Sequence, residues 1–140
     1  MRLAAISVVA WLTGFAAYVG GLAMLWGQTL SRGDLIAVLY YSALASTLAI
    51  VAVYAPAMFV LRRVSRGKAG PWVYALASMA LGIVPVLLIV RVWGGNLQSL
   101  GSPEAALFSL MFGAFGFVFG HGFFLAYGRR SSLGRITFEP

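Results

Sequence analysis

Residues 105–127 read AALFSLMFGAFGFVFGHGFFLAY and decide the fold, because this run is long, apolar and free of charged side chains. The hydrocarbon core of a bilayer is crossed by about 20 apolar residues in a helix. Lipid supplies no partners for backbone N–H and C=O groups, so such a run forms a helix rather than an open strand. The alternation of polar and apolar residues that marks a membrane barrel strand is absent. The stretch therefore predicts a transmembrane helix.

Three similar stretches precede this one, and together they predict spans at 3–26, 35–61, 72–92 and 105–127, with a short basic tail at 128–140. The composition agrees, since 61% of the residues are hydrophobic and 9% are charged, against about a quarter charged in soluble chains. The absence of cysteine excludes a disulfide scaffold and thiol chemistry. We expect an all-α membrane protein in which residues 1–140 form one domain, a bundle of four transmembrane helices.

Polar residues and prolines mark where these helices begin and bend. Ser31 precedes Asp34 by three residues, a spacing typical of a capped N-terminus. Ser102 stands before Pro103 and Glu104, which combines a cap, a first-turn proline and an acid at the positive end of the helix dipole. Pro56 and Pro85 lie inside spans and are expected to kink them.

The basic residues predict the orientation of the chain. Those expected on one side of the membrane are Arg2, Arg62, Arg63, Arg66, Lys68, Arg129, Arg130 and Arg135, whereas only Arg32 and Arg91 fall on the other. The positive-inside rule then places both termini in the cytoplasm, and a bacterial cytoplasmic membrane suits so compact a chain. We interpret the basic loop and tail as determinants of topology that contact lipid headgroups. No helix or aromatic cluster that could contact nucleic-acid bases accompanies them, so nucleic-acid binding is not expected.

The two halves of the chain resemble each other at an offset of 67 residues. Trp26-Gly27 aligns with Trp93-Gly94, the basic cluster that begins at Arg62 aligns with the one that begins at Arg129, and Ser42 aligns with Ser109. Two tandem helical hairpins would then be related by a pseudo-twofold axis along the membrane normal. Interfacial tryptophans and cytoplasmic arginine pairs also recur in unrelated hairpins, so both interpretations stay open.

Small residues spaced four apart predict where the helices touch, because close backbone approach drives helix association in lipid. The candidate packing positions are Gly14, Gly20, Gly21, Ser42, Ser46, Gly113, Gly116 and Gly120. Seven phenylalanines surround the glycines of the fourth span, so that helix is apolar on every side. We expect the first or the fourth span to supply a face for self-association or for another membrane subunit.

Few residues in the spans could do chemistry. No acid lies inside a span, so paired-carboxylate catalysis and carboxylate-coupled transport lack their groups, and we do not expect an enzyme. His121 is the exception. It is either a neutral side chain that bonds a neighbour such as Tyr54, an axial ligand of a haem or chlorophyll-type macrocycle, or a proton or substrate site. No metal site is predicted.

Three hypotheses about function follow from this inventory. The first is a non-catalytic accessory subunit of a larger membrane complex, indicated by the lack of catalytic groups, the phenylalanine-rich span and the short loops. The second is a small transporter or channel built from several copies, indicated by the repeat and by the Ser/Thr line of the second span. The third is a haem or pigment protein that uses His121.

Overall fold

The computed structural model describes residues 2–66, 68–92 and 94–128, and every regular element within those ranges is helical. There are six α-helices, joined or extended by short π-helical and 3-10 turns. In chain order the elements are α1 (Arg2–Trp26), α2 (Arg32–Ala49), a π-helical turn (Ile50–Tyr54), α3 (Ala55–Val64), α4 (Pro71–Leu81), α5 (Ile83–Val92), a 3-10 turn (Leu97–Gly101), α6 (Pro103–Phe123) and a second π-helical turn (Phe124–Gly128).

These elements form four helical spans, each long and apolar enough to cross a membrane. They are Arg2–Trp26, Arg32–Val64, Pro71–Val92 and Pro103–Gly128. The all-helical class and the number of spans predicted from the sequence are confirmed. Both predicted caps are also present: the Ser31 hydroxyl accepts a hydrogen bond from the Asp34 N–H at 3.2 Å, and the Ser102 hydroxyl accepts one from the Ala105 N–H at the same distance.

The two prolines inside spans distort their helices in different ways. Pro56 follows the wide turn Ile50–Tyr54, at whose end the Ala55 N–H donates to the carbonyl oxygen of Ile50. The wider turn relieves the clash that a proline ring makes with the preceding turn. Pro85 cannot donate to Leu81, four residues earlier, and the third span is interrupted there, between α4 and α5 at Gly82.

The core lies along one face of α6. Phe112, Phe115, Phe119 and Phe123 are fully buried, and the rings of Phe115 and Phe119 stack with their centroids 5.9 Å apart. These four of the seven phenylalanines of the fourth span therefore face the interior of the bundle. A helix that is apolar on every side also suits the centre of a bundle, and α6 is that central helix.

The two predicted hairpins do not pack equivalently. The fourth span packs broadly and antiparallel against both α1 and α4, whereas the second span touches the first only sparsely. Ser42 and Ser109, which the 67-residue offset equates, differ in burial: Ser42 is buried and Ser109 is exposed. The described residues therefore do not form a pseudo-twofold pair of hairpins.

Candidate functional site

Close contacts between α1 and α6 depend on two of the predicted glycines. A Cβ atom added to Gly14 would lie 2.8 Å from the carbonyl oxygen of Met111, and one added to Gly21 would lie 2.8 Å from a methyl carbon of Leu107. Both distances are shorter than van der Waals contact. At Gly14 the neighbour is backbone and cannot move aside, whereas at Gly21 the ends of flexible leucine side chains could shift to make room.

The interface of the third and fourth spans is closer still. Added Cβ atoms at Gly116 and Gly120 would collide with the backbone carbonyl oxygens of Ser78 and Tyr74, and one at Gly82 would lie 2.8 Å from the carbonyl oxygen of Phe112. Backbone atoms cannot rotate aside as a flexible side chain can. These glycines therefore set the distance between the third and fourth spans.

The other predicted packing positions differ among themselves. A Cβ atom added to Gly20 would have no neighbouring atom within 4 Å, and one added to Gly113 would have only the Cγ atom of Met79, at 3.9 Å. Ser42 is buried and accepts a hydrogen bond from the indole Nε1 of Trp11 at 3.1 Å, which links the first and second spans. Ser46 is buried on the same face of α2.

His121 lies on the opposite side of α6 from the aromatic core. It follows Phe112 by nine residues, which at about 100° each corresponds to half a turn around the helix. The hydroxyl of Tyr54 donates to the carbonyl oxygen of Phe112, 3.1 Å away, on the core side. The predicted Tyr54–His121 hydrogen bond is therefore wrong. The imidazole is half-buried, and its ring centroid lies 6.4 Å from that of Trp72 in an edge-on arrangement.

The same outward side of α6 carries an open apolar groove of about 620 Å³. It runs between α1 and the junction of α4 with α5, and small residues lie along it among larger apolar ones such as Met79 and Leu110. Its lining includes Thr13, Gly82, Ser109, Gly113, Ala114 and Phe117. Phe117 also contacts Trp72, with ring centroids 6.1 Å apart, so the groove leads towards the His121–Trp72 pair.

Sequence reasoning identified Gly113 and His121 separately but missed that they share a face with Ala114 and Phe117. Once the inward face of the span is known, the spacing of residues around the helix identifies which positions point outward. Four phenylalanines at 112, 115, 119 and 123 define the inward face, and positions 114, 117 and 121 fall away from it.

The basic residues predicted to contact headgroups gather at one end of the bundle. Arg62 is half-buried there, while Arg63, Arg66 and Lys68 are exposed. We call this the basic end and the other, with the turn at 94–102, the opposite end. Arg129, Arg130, Arg135 and most of the predicted tail lie outside the described residues.

Two hydroxyl groups are buried in the interface between α4 and α6. The hydroxyls of Tyr74 and Ser78 are inaccessible and have no hydrogen-bond partner among the described residues. Both belong to α4 and face α6.

Chemically, the outward face of α6 offers one imidazole, an indole edge and an apolar groove. Across residues 2–66, 68–92 and 94–128, no three His, Cys, Asp or Glu side chains gather where they could hold a metal ion. Comparison with protein-family models, curated proteins and solved structures gave no match.

Proposed function

We propose that this chain is a non-catalytic subunit of a larger membrane complex, and that a helix of another membrane protein lies along the groove on the outward face of α6. The observation that carries the proposal is the groove itself. It is lined by small residues such as Ser109 and Gly113, and small residues allow the backbones of two membrane helices to approach closely.

His121 supports the same assignment. Among the described residues the imidazole makes no hydrogen bond, and it lies on the same side of α6 as the groove. A polar side chain that faces lipid is costly, so polar groups inside a membrane usually face protein or water. A partner helix that carries a hydrogen-bonding side chain at this depth would remove that cost.

The packing of the bundle favours this role over transport by a single chain. Aromatic rings fill its centre, where Tyr54 contacts Phe115 and Phe119 with ring centroids 4.9 and 5.8 Å apart. A transporter or channel built from this chain would therefore need its path between copies. Our proposal places the chain in a bacterial cytoplasmic membrane with the basic end and both termini in the cytoplasm, as the charge bias favours.

The test compares two glycine variants in the full chain, extracted gently from its native membranes and weighed by native mass spectrometry. In Gly113→Leu the new side chain fills the groove, whereas in Gly20→Leu it enters space with no neighbouring atom. We expect foreign subunits to be co-released with the wild type and with Gly20→Leu, and to be lost with Gly113→Leu. Release of the wild type as a pure homo-oligomer that carries only lipid would refute the proposal.

A second candidate function follows from the position of the half-buried His121 imidazole beside Trp72. A planar macrocycle, haem or chlorophyll, bound at the surface of the bundle would take this imidazole as an axial ligand. Such a protein would absorb visible light, and the band would change in His121→Ala. Spectra of the purified wild type and the variant that are identical and confined to the ultraviolet would exclude this candidate.

A further inference from the structure

A second groove lies at the opposite end of the bundle, between the last turns of α5 and the turn that follows. Its volume is about 360 Å³, and its lining residues lie near the start of α6, whereas His121 lies near the end of that helix. Leu87, Leu88 and Leu100 line its apolar part, while Arg91 and Asn96 lie at its polar edge. Leu88 is 58% exposed, so the apolar part opens to the surroundings of the bundle.

Two backbone carbonyl groups at this edge already accept hydrogen bonds from the chain itself. Beyond the end of α5, Gly94 adopts the left-handed region at a φ of 76°, a conformation that glycine reaches without strain. The Gly94 N–H donates to the carbonyl oxygen of Arg91, and the Gly95 N–H donates to that of Val90, at 3.1 and 2.9 Å. The helix carbonyls nearest the groove are therefore satisfied by the turn.

The side chain of Asn96 is oriented by the same turn. Its Oδ1 atom accepts hydrogen bonds from the backbone N–H groups of Gln98 and Ser99, at 2.9 and 3.2 Å. This capping fixes which end of the amide faces the turn and leaves the two donors of Nδ2 without an acceptor among the described residues. Arg91 likewise forms no ion pair within the part of the chain that the structure describes.

We infer that this groove binds an anionic phospholipid, whose phosphate accepts hydrogen bonds from Arg91 and Asn96 and whose acyl chain lies along Leu87 and Leu88. The polar edge presents donors and a positive charge, which match the phosphate oxygens of a phospholipid. A net negative headgroup is favoured over a zwitterionic one, because the ammonium group of the latter would be repelled by Arg91. The apolar part continues directly from that edge, as the tail of an amphiphile requires. This inference does not depend on the partner helix proposed for α6.

The experiment measures thermal stabilisation of the purified full chain by vesicles of phosphatidylglycerol against vesicles of phosphatidylcholine. We expect phosphatidylglycerol to stabilise the wild type more. Arg91→Gln removes the charge, and Asn96→Asp keeps the capping oxygen while it replaces the donor group with an anionic oxygen. We expect each variant to bind phosphatidylglycerol about tenfold more weakly, which corresponds to about 1.4 kcal/mol and is close to the contribution of one hydrogen bond to a charged group.

Arg32→Gln is the matched control, because Arg32 is the other arginine at this end of the bundle but does not line the groove. It should retain the preference for phosphatidylglycerol. An equal loss in Arg32→Gln would overturn the inference by showing a diffuse charge effect, and so would wild-type binding in Asn96→Asp. Inorganic phosphate tests the other source of the same anion: stabilisation by phosphate alone would show that the lipid tail is not recognised.

Discussion

The Tyr54 hydroxyl donates a hydrogen bond to the carbonyl oxygen of Phe112 across the core, over 3.1 Å, at the point where Gly82 also approaches Phe112 most closely. Three spans therefore meet around one carbonyl group of α6. Tyr54 closes the π-helical turn of the second span, so the widened turn and the hydrogen bond occur at the same place.

Tyr54→Phe should lower the free energy of unfolding by about 1 kcal/mol, because a hydrogen bond between membrane helices contributes about 0.6 to 1.7 kcal/mol. The measurement is reversible unfolding in mixed micelles of increasing denaturing detergent. Tyr40→Phe is the control, since Tyr40 is 67% exposed, and it should unfold as the wild type does. Equal stability of the Tyr54 variant would show that this hydrogen bond contributes nothing.

Tyr74→Phe should not lower the free energy of unfolding as Tyr54→Phe does. The Tyr74 hydroxyl is buried without a partner among the described residues, and an unsatisfied buried polar group costs about 1–3 kcal/mol. Its removal should leave stability unchanged or raise it by about 1 kcal/mol in the same unfolding assay. A clear loss of stability would instead reveal a polar partner, such as a buried water molecule, bonded to this hydroxyl.

Gly120→Ala should destabilise the bundle strongly while Gly20→Ala does not. The new methyl group at 120 would meet the backbone of Tyr74, whereas at 20 it meets nothing within 4 Å. Overpacking of this kind costs about 1–3 kcal/mol, and alanine in an unobstructed helix position favours the helix by up to about 1 kcal/mol. Thermal denaturation followed by circular dichroism distinguishes the two, and similar midpoints would contradict the observed close approach.

The proposed orientation can be tested by thiol labelling, because the chain contains no cysteine of its own. Lys68→Cys lies at the basic end and Gln98→Cys at the opposite end, and both residues are exposed. A reagent that cannot cross membranes should label Gln98→Cys in intact cells and Lys68→Cys only after the membrane is opened. The reverse pattern would refute the positive-inside assignment.

The sequence predicted the spans and their caps because these depend on local properties. A run of apolar residues at 105–127 requires a helix in lipid, and Ser31 and Ser102 cap helices through bonds within three residues. The direction in which the fourth span faces could not be predicted in the same way. Lipid tails and buried side chains are equally apolar, so Phe112 and Phe119 would satisfy either environment.

The sequence predicted which spans contain packing positions, but not which side of each helix faces its neighbour. Gly20 and Gly21 both belong to pairs of small residues spaced four apart, yet only Gly21 faces α6. The difference is one step of about 100° around α1, which spacing alone does not determine. For the same reason the sequence could not show that Tyr54 and His121 lie on opposite sides of the axis of α6, although it places them at a similar depth.

The central position of α6 determines when the chain can become a bundle during synthesis. Membrane helices insert separately and associate afterwards, and the three earlier spans leave the ribosome before the fourth. Since α1 and α4 make their broad interfaces with α6, both must wait in the bilayer until that last span is inserted. Until then the surfaces of α1 and α4 that pack against α6 are covered only by lipid, which makes this interval the step most open to degradation or to capture by other helices.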